Sequence, residues 1–205
     1  MTFTFDGKML LLLFIPLLVS PAHTAPRDAA VLDCAGPFTR HATHASLVKA
    51  FGKDKVALRN VGVGEGETVK ASVIFPRDKA RRIEVLWIDE KARRKPSEIR
   101  IDDTSAGRTT HGITAKMSLA DVEALNGKPF KLYGFGFDYG GTVLDWDGGR
   151  LAAQNGGCTL SLRFTMREAA DNSGIYGEER SFMSDDAAMS KAAPVVEAIS
   201  LRFSD

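Results

Sequence analysis

The chain has 205 residues, a formal net charge of +1 and 44% hydrophobic residues. A near-neutral balance gives no general attraction for nucleic acid, and the composition excludes fibrous, low-complexity and intrinsically disordered classes. The length allows one domain or two small ones.

The first predicted element is an export signal. A short polar start carries Lys8, an apolar core runs from Met9 to Val19, and small residues follow at Ser20, Ala22 and Ala25. That order is the signature of a cleavable secretory segment. The apolar core is about half the roughly 20 residues a membrane-spanning helix needs. Cleavage is expected after Ala22, with no cysteine placed to take a lipid. Residues 1–22 are therefore read as a signal peptide and 23–205 as a single globular domain, periplasmic or secreted, with no stable membrane anchor. The two cysteines, Cys34 and Cys158, are read as one long-range disulfide in an oxidising compartment.

Next comes a short amphipathic helix over Ala45–Phe51, capped by Thr43 and ended by Gly52. His41 and His44 lie at its start, on the surface by expectation, without a third ligand that would make a zinc site. Val61–Gly66 is glycine-rich but opens no helix, so it is no phosphate cradle; it reads as a flexible approach to a hairpin. A strand over Val69–Phe75 carries Ala71, Val73 and Phe75 on one face. A turn at Pro76-Arg77-Asp78 leads to a second strand with Ile83, Val85 and Trp87 alternating with Glu84, Leu86 and Ile88. A third strand covers Glu98–Asp102.

The pattern then recurs. Ser118 caps a second helix ended by Gly127, a hairpin runs from Leu132–Phe137 through Tyr139-Gly140-Gly141 to Val143–Trp146, and a strand spans Cys158–Phe164. In that strand Leu160, Leu162 and Phe164 alternate with Thr159, Ser161 and Arg163, the period of a half-buried antiparallel strand. Ala169–Glu179 is polar and reads as a mobile loop. A last helix begins at Ser184-Asp185-Asp186 and ends at Pro194. Ile199–Phe203 echoes Leu160–Phe164 closely enough to suggest neighbouring strands. The predicted fold is α+β: an antiparallel sheet with helices packed on one face. It is organised as two tandem helix-plus-three-strand units, about 43–102 and 117–164, then a C-terminal helix and strand over 184–203.

The segment Gly112–Pro129 resembles the opening of modules in the beta-lactamase inhibitory protein family and in the SmpA/OmlA envelope-assembly lipoproteins. The shared features are a polar cap, a short helix with valine and leucine inward, and a glycine exit into strands. Asn126–Phe130 and Phe137–Gly141 also resemble a group of exported bacterial proteins of no assigned activity. These resemblances imply helices on an antiparallel sheet and, for the inhibitory family, a role in binding another protein. The lipobox cysteine of the lipoproteins is missing here.

Phe130–Arg150 is the richest stretch for function. Tyr133, Phe135 and Phe137 are expected on one strand face, with Gly134 and Gly136 leaving the other face bare for a partner loop, a glycan or a strand. Tyr139 and Asp138 complete this candidate binding set, although a core role for the aromatics is the simpler reading. A second candidate is a basic patch of Arg77, Lys79, Arg81, Arg82, Arg93 and Arg94 around the first hairpin, suited to an acidic partner or an anionic polymer. Asp145-Trp146-Asp147-Gly148 lacks the ligand spacing of a calcium loop and reads as a turn. No nucleophilic elbow occurs. The expected function is an exported, non-enzymatic binding protein, of inhibitor or immunity type, whose partner is an envelope protein or a glycan, with no cofactor, metal or nucleic acid. The alternatives are a structural factor in envelope assembly and a small hydrolase using Asp138, Asp145 or Asp147.

Overall fold

The computed structural model describes residues 1–2, 30–167, 174–177 and 180–204. The segment read from the sequence as an export signal lies, apart from its first two residues, outside the described residues.

Among the described residues, three short α-helices are set by their caps. Helix α1 (His44–Phe51) opens at Thr43, whose hydroxyl accepts the Ser46 N–H while the Ser46 hydroxyl accepts the Thr43 N–H. This reciprocal box satisfies two donors that a helix start otherwise leaves open. Helix α2 (Leu119–Asn126) opens at Ser118 and closes at Gly127, whose φ of 82° is the left-handed cap that glycine adopts without a Cβ clash. Helix α3 (Ala187–Ala192) opens at Asp186, which accepts the Ala188 N–H. Pro194 follows its cap and cannot continue it.

The main sheet has six antiparallel strands: β2 (Val56–Gly64), β3 (Glu67–Ile74), β4 (Ile83–Asp89), β5 (Arg94–Ile101), β11 (Val195–Arg202) and β9 (Thr159–Thr165), in the order β2-β3-β4-β5-β11-β9. A smaller sheet sets β10 (Ser181–Met183), β7 (Lys131–Tyr133) and β8 (Val143–Asp145) in the order β10-β7-β8. A two-residue parallel pair joins β1 (Val31–Leu32) to β6 (Arg108–Thr109).

Alternation sends one set of side chains inward. Val85 faces Ile99, Ile99 faces Leu201, and Leu201 faces Leu160 across four strands. These buried residues share one core with Leu47 of α1, Val122 of α2 and Met189 of α3. Each such side chain contributes about 1.5–3 kcal/mol by leaving water. Phe130 wedges between the helices and the sheet, fully buried, its ring 5.0 Å from Trp146 and 6.0 Å from Phe164. The fold is thus α+β, with the helices on one face of the sheet.

The tandem organisation is not reproduced. The first unit places its hairpin and third strand in one sheet, whereas the second splits: β7 and β8 form part of the small sheet and β9 joins the large one. The echo between the last two long strands is real, since β9 and β11 are antiparallel neighbours. The glycine-rich Val61–Gly66 is ordered as the end of β2 and its turn into β3. Of the loop expected over 169–179, only residues 174–177 are described.

Cys34 and Cys158 are bonded, with Cα atoms 6.0 Å apart and both side chains buried. The bond ties the segment just after β1 to the start of β9. Gly156 is required beside it: its φ is 90°, and a Cβ there would come within 2.3 Å of the Cys34 carbonyl oxygen.

Candidate functional site

The face of the main sheet turned away from the helices is charged. Glu84 on β4, Glu98 and Arg100 on β5, Ser200 and Arg202 on β11, and Ser161 and Arg163 on β9 alternate with the inward core residues. Register brings Glu84 opposite Arg100, Glu98 opposite Arg202 and Ser200 opposite Ser161. Arg82 grips one carboxylate oxygen of Glu84 at 2.6 and 3.0 Å, and Arg100 grips the other at 2.8 and 2.9 Å. Glu98 continues the chain to Arg202 at 3.6 Å, and Arg163 pairs separately with Glu197 at 2.8 Å. Forked contacts of this kind are charge-assisted and directional.

The β2–β3 hairpin curls over this face. Gly62 on β2 accepts a hydrogen bond from Arg100 Nη2 at 2.6 Å, although β3 and β4 lie between their strands. Val61, Ala71, Val73 and Leu86 form a second apolar cluster beneath the curl. Between the hairpin tip and the 138–142 segment lies a groove of about 630 Å³. Val63, Glu65 and Glu67 line one wall, Asp138, Tyr139 and Thr142 the other, and the arginine–glutamate chain the floor. Tyr139 is 65% exposed. The carboxylates of Glu65, Glu67 and Asp138 make no hydrogen bond or ion pair among the described residues.

The aromatic set divides across this architecture. β7 ends at Tyr133, so Tyr133, Phe135 and Phe137 are not one strand face. Phe135 is buried in the core, while Tyr133 and Phe137 are half-buried and meet edge to face at 5.8 Å. The bare glycine side is already occupied by the chain itself. Gly134 donates to the Arg180 carbonyl and Phe135 to the Ile175 carbonyl. A Cβ at Gly134 would meet Ile175 O at 2.8 Å, and one at Gly136 would meet the Tyr176 ring at 2.6 Å. Asp138 and Tyr139 are the members of the set that reach the groove.

The basic set also divides. Arg77, Lys79, Arg81 and Arg82 precede β4, and Arg93 and Arg94 follow it. The seven residues of β4 hold the two groups about 20 Å apart. Three of these side chains are held by neighbours. Arg81 pairs with Asp78 at 2.7 Å and lies over the Phe75 ring, Arg82 holds Glu84, and Arg94 pairs with Asp89 at 2.9 Å. The Arg81 hydrogen bond holds the Asp78 carboxyl below its usual range. Asp89 is lowered by the Ala92 N–H and then by Arg94. These six residues therefore do not form a single basic patch, and of the six only Arg82 lines the groove.

Asp138, Asp145 and Asp147 do not converge. Asp145, the last residue of β8, accepts the Asp147 N–H at 2.8 Å, and Asp147, just past the strand, lies 3.5 Å from Lys128; neither lines the groove. This turn is built around Asn126, whose buried amide donates to the Lys128 and Trp146 carbonyls and accepts the Leu151 N–H. His44 is not a surface residue: it is half-buried, with Nδ1 2.8 Å from the hydroxyl of the fully buried Ser72. Trp87 Nε1 donates to the same hydroxyl at 3.1 Å. Burial, and then the charge of Arg93, lower the His44 pKa from its ordinary value.

Glu65, Glu67, Glu84, Arg100, Arg163 and Arg202 line the groove but are not among the site residues expected from the sequence. Their signal was present as charged positions alternating with Ile, Val and Leu along strands. The insertion of β11 between β5 and β9, which brings them together, is a long-range pairing with no local signature. No protein-family model, curated protein or solved structure matches the chain. Among the described residues no helix is long and apolar enough to cross a membrane, and no cluster of three or more His, Cys, Asp or Glu is placed to hold a metal ion.

Proposed function

We propose that the chain is an exported, non-enzymatic binding protein that engages another protein through the groove on the outer face of its main sheet. The observation that carries this reading is the groove itself: an open, charged sheet face between the hairpin tip and Tyr139, left uncovered by the helices. An exposed tyrosine is a residue type that protein interfaces favour. The Cys34–Cys158 bond supports an oxidising compartment and hence export. The resemblance of Gly112–Pro129 to an inhibitory family favours a protein partner over a small substrate. The test is capture of a saturable partner from an envelope extract on immobilised protein, repeated with Tyr139→Ala. Loss of capture in the variant is the expected result. Absence of any saturable partner, or equal capture by both forms, contradicts the proposal.

A further inference from the structure

We infer that the groove receives a basic segment of the partner, whose lysine or arginine side chains pass beside Tyr139 and end on Glu65, Glu67 and Asp138. This rests on the groove being the binding surface. Four arginines line it, Arg82, Arg100, Arg163 and Arg202, against six carboxylates, which leaves a net charge of −2. The two signs are not equally available. Arg82, Arg100 and Arg202 are held on Glu84 and Glu98, and Arg163 on Glu197. An anionic ligand would have to break these charge-assisted contacts before gaining its own. Glu65, Glu67 and Asp138 stand on the two walls with no such partner among the described residues, so a cation meets them without displacing anything.

Tyr139 adds the second half of the site. Its ring is 65% exposed on the wall beside Asp138. A guanidinium or ammonium group over an aromatic face gains from the ring quadrupole, and the adjacent carboxylate fixes its approach. The groove is open, so the cation keeps part of its hydration and the attraction is screened by salt. Charge complementarity of this kind selects the partner and speeds encounter more than it adds affinity. The occupant is therefore an exposed, positively charged loop or tail of a protein.

The experiment titrates the full-length mature protein against a dye-labelled decapeptide of alternating lysine and glycine, read by fluorescence anisotropy. The glutamate–glycine peptide and an anionic oligosaccharide serve as competing probes. The lysine peptide is expected to bind at low ionic strength, about 20 mM, and to weaken severalfold at about 150 mM. The Glu65→Gln/Glu67→Gln/Asp138→Asn variant changes the charge of the lining from −2 to +1 and is expected to lose roughly tenfold or more in affinity. All three side chains are exposed, and an unchanged melting temperature verifies the fold. Failure of the lysine peptide to bind, undiminished binding to the triple variant, or preferential binding of either anionic probe overturns the inference. Partner capture separates the two claims. If Tyr139→Ala abolishes capture and the triple variant does not, the groove remains the binding surface and the basic segment is refuted. If neither variant affects capture, both claims fall.

Discussion

Removing the disulfide by Cys34→Ser/Cys158→Ser should cost more stability than any single core truncation of ordinary size. The bond spans 124 positions. On the loop-entropy model, closing a loop of that length in the unfolded chain is worth about 5 kcal/mol. Placing two hydroxyls where buried sulfurs lie adds to the loss, because both positions are buried. Domains of this size are stable by about 5–15 kcal/mol, so the bond carries a large share of the total. With a urea slope of about 3 kcal/mol per molar, the midpoint should fall by roughly 1.5–2 M. Urea unfolding followed by tryptophan fluorescence measures this directly, since Trp87 and Trp146 are both buried. Wild-type protein unfolded with a reductant should show most of the same fall, remaining above the double variant by the cost of the two buried hydroxyls. A midpoint unchanged by the double substitution, or native protein whose cysteines react with a thiol reagent without prior reduction, refutes the reasoning.

Further predictions concern the buried polar groups. Asn126→Ala should destabilise by about 2–4 kcal/mol in urea unfolding, because it leaves the Lys128 and Trp146 carbonyls and the Leu151 N–H without their shared partner. Ser72→Ala should cost about 1–3 kcal/mol by orphaning the Trp87 indole N–H, and the change should appear in the near-ultraviolet circular dichroism of that ring. The folded His44 pKa lies below its ordinary value of 6.5, so the unfolded chain binds the extra proton first. His44 therefore contributes no penalty above that pH, and stability falls as the pH drops from 6.5 towards the folded value. The urea midpoint should be lower at pH 5 than at pH 7.5, and His44→Gln should flatten the difference; an equal slope in the variant contradicts the assignment. Asp78 and Asp89, whose pKa values are lowered from 3.8, act only below that window. Gly134→Ala should detach the segment at Ile175, since its Cβ would lie 2.8 Å from the Ile175 carbonyl. Faster amide exchange at Phe135, which donates to that carbonyl, is the expected readout.

Local signals carried well from sequence to fold. Thr43, Gly52, Ser118 and Gly127 delimited two helices because caps act within one turn. Ile83–Trp87 and Leu160–Phe164 showed their inner faces because strand alternation is a nearest-neighbour property. Cys34 and Cys158 had a single possible pairing among the chain's two cysteines. What failed was long-range. Phe137 continued the alternation of Tyr133 and Phe135, yet β7 stops at Tyr133 because Gly134 and Phe135 bond to the segment near Ile175 and Arg180 instead of to a hairpin partner. Arg77 and Arg94 were close in sequence but stand at opposite ends of β4. Conversely, Glu65 and Asp138, 73 positions apart in the numbering, face one groove. Of the candidate site, Asp138, Tyr139 and Arg82 were legible as individual residues; the surface that unites them depends on the order of six strands.

The groove as the binding surface is tested most directly by site-specific photo-crosslinking. A photoreactive amino acid is placed in turn at Tyr139 and Val63, on the two walls, and at Lys53, exposed on the turn between α1 and β2. After irradiation in an envelope extract, one discrete adduct of the same mass at both 139 and 63, with none at 53, is the predicted result. Equal adducts at all three positions, or an adduct at 53 alone, contradicts it.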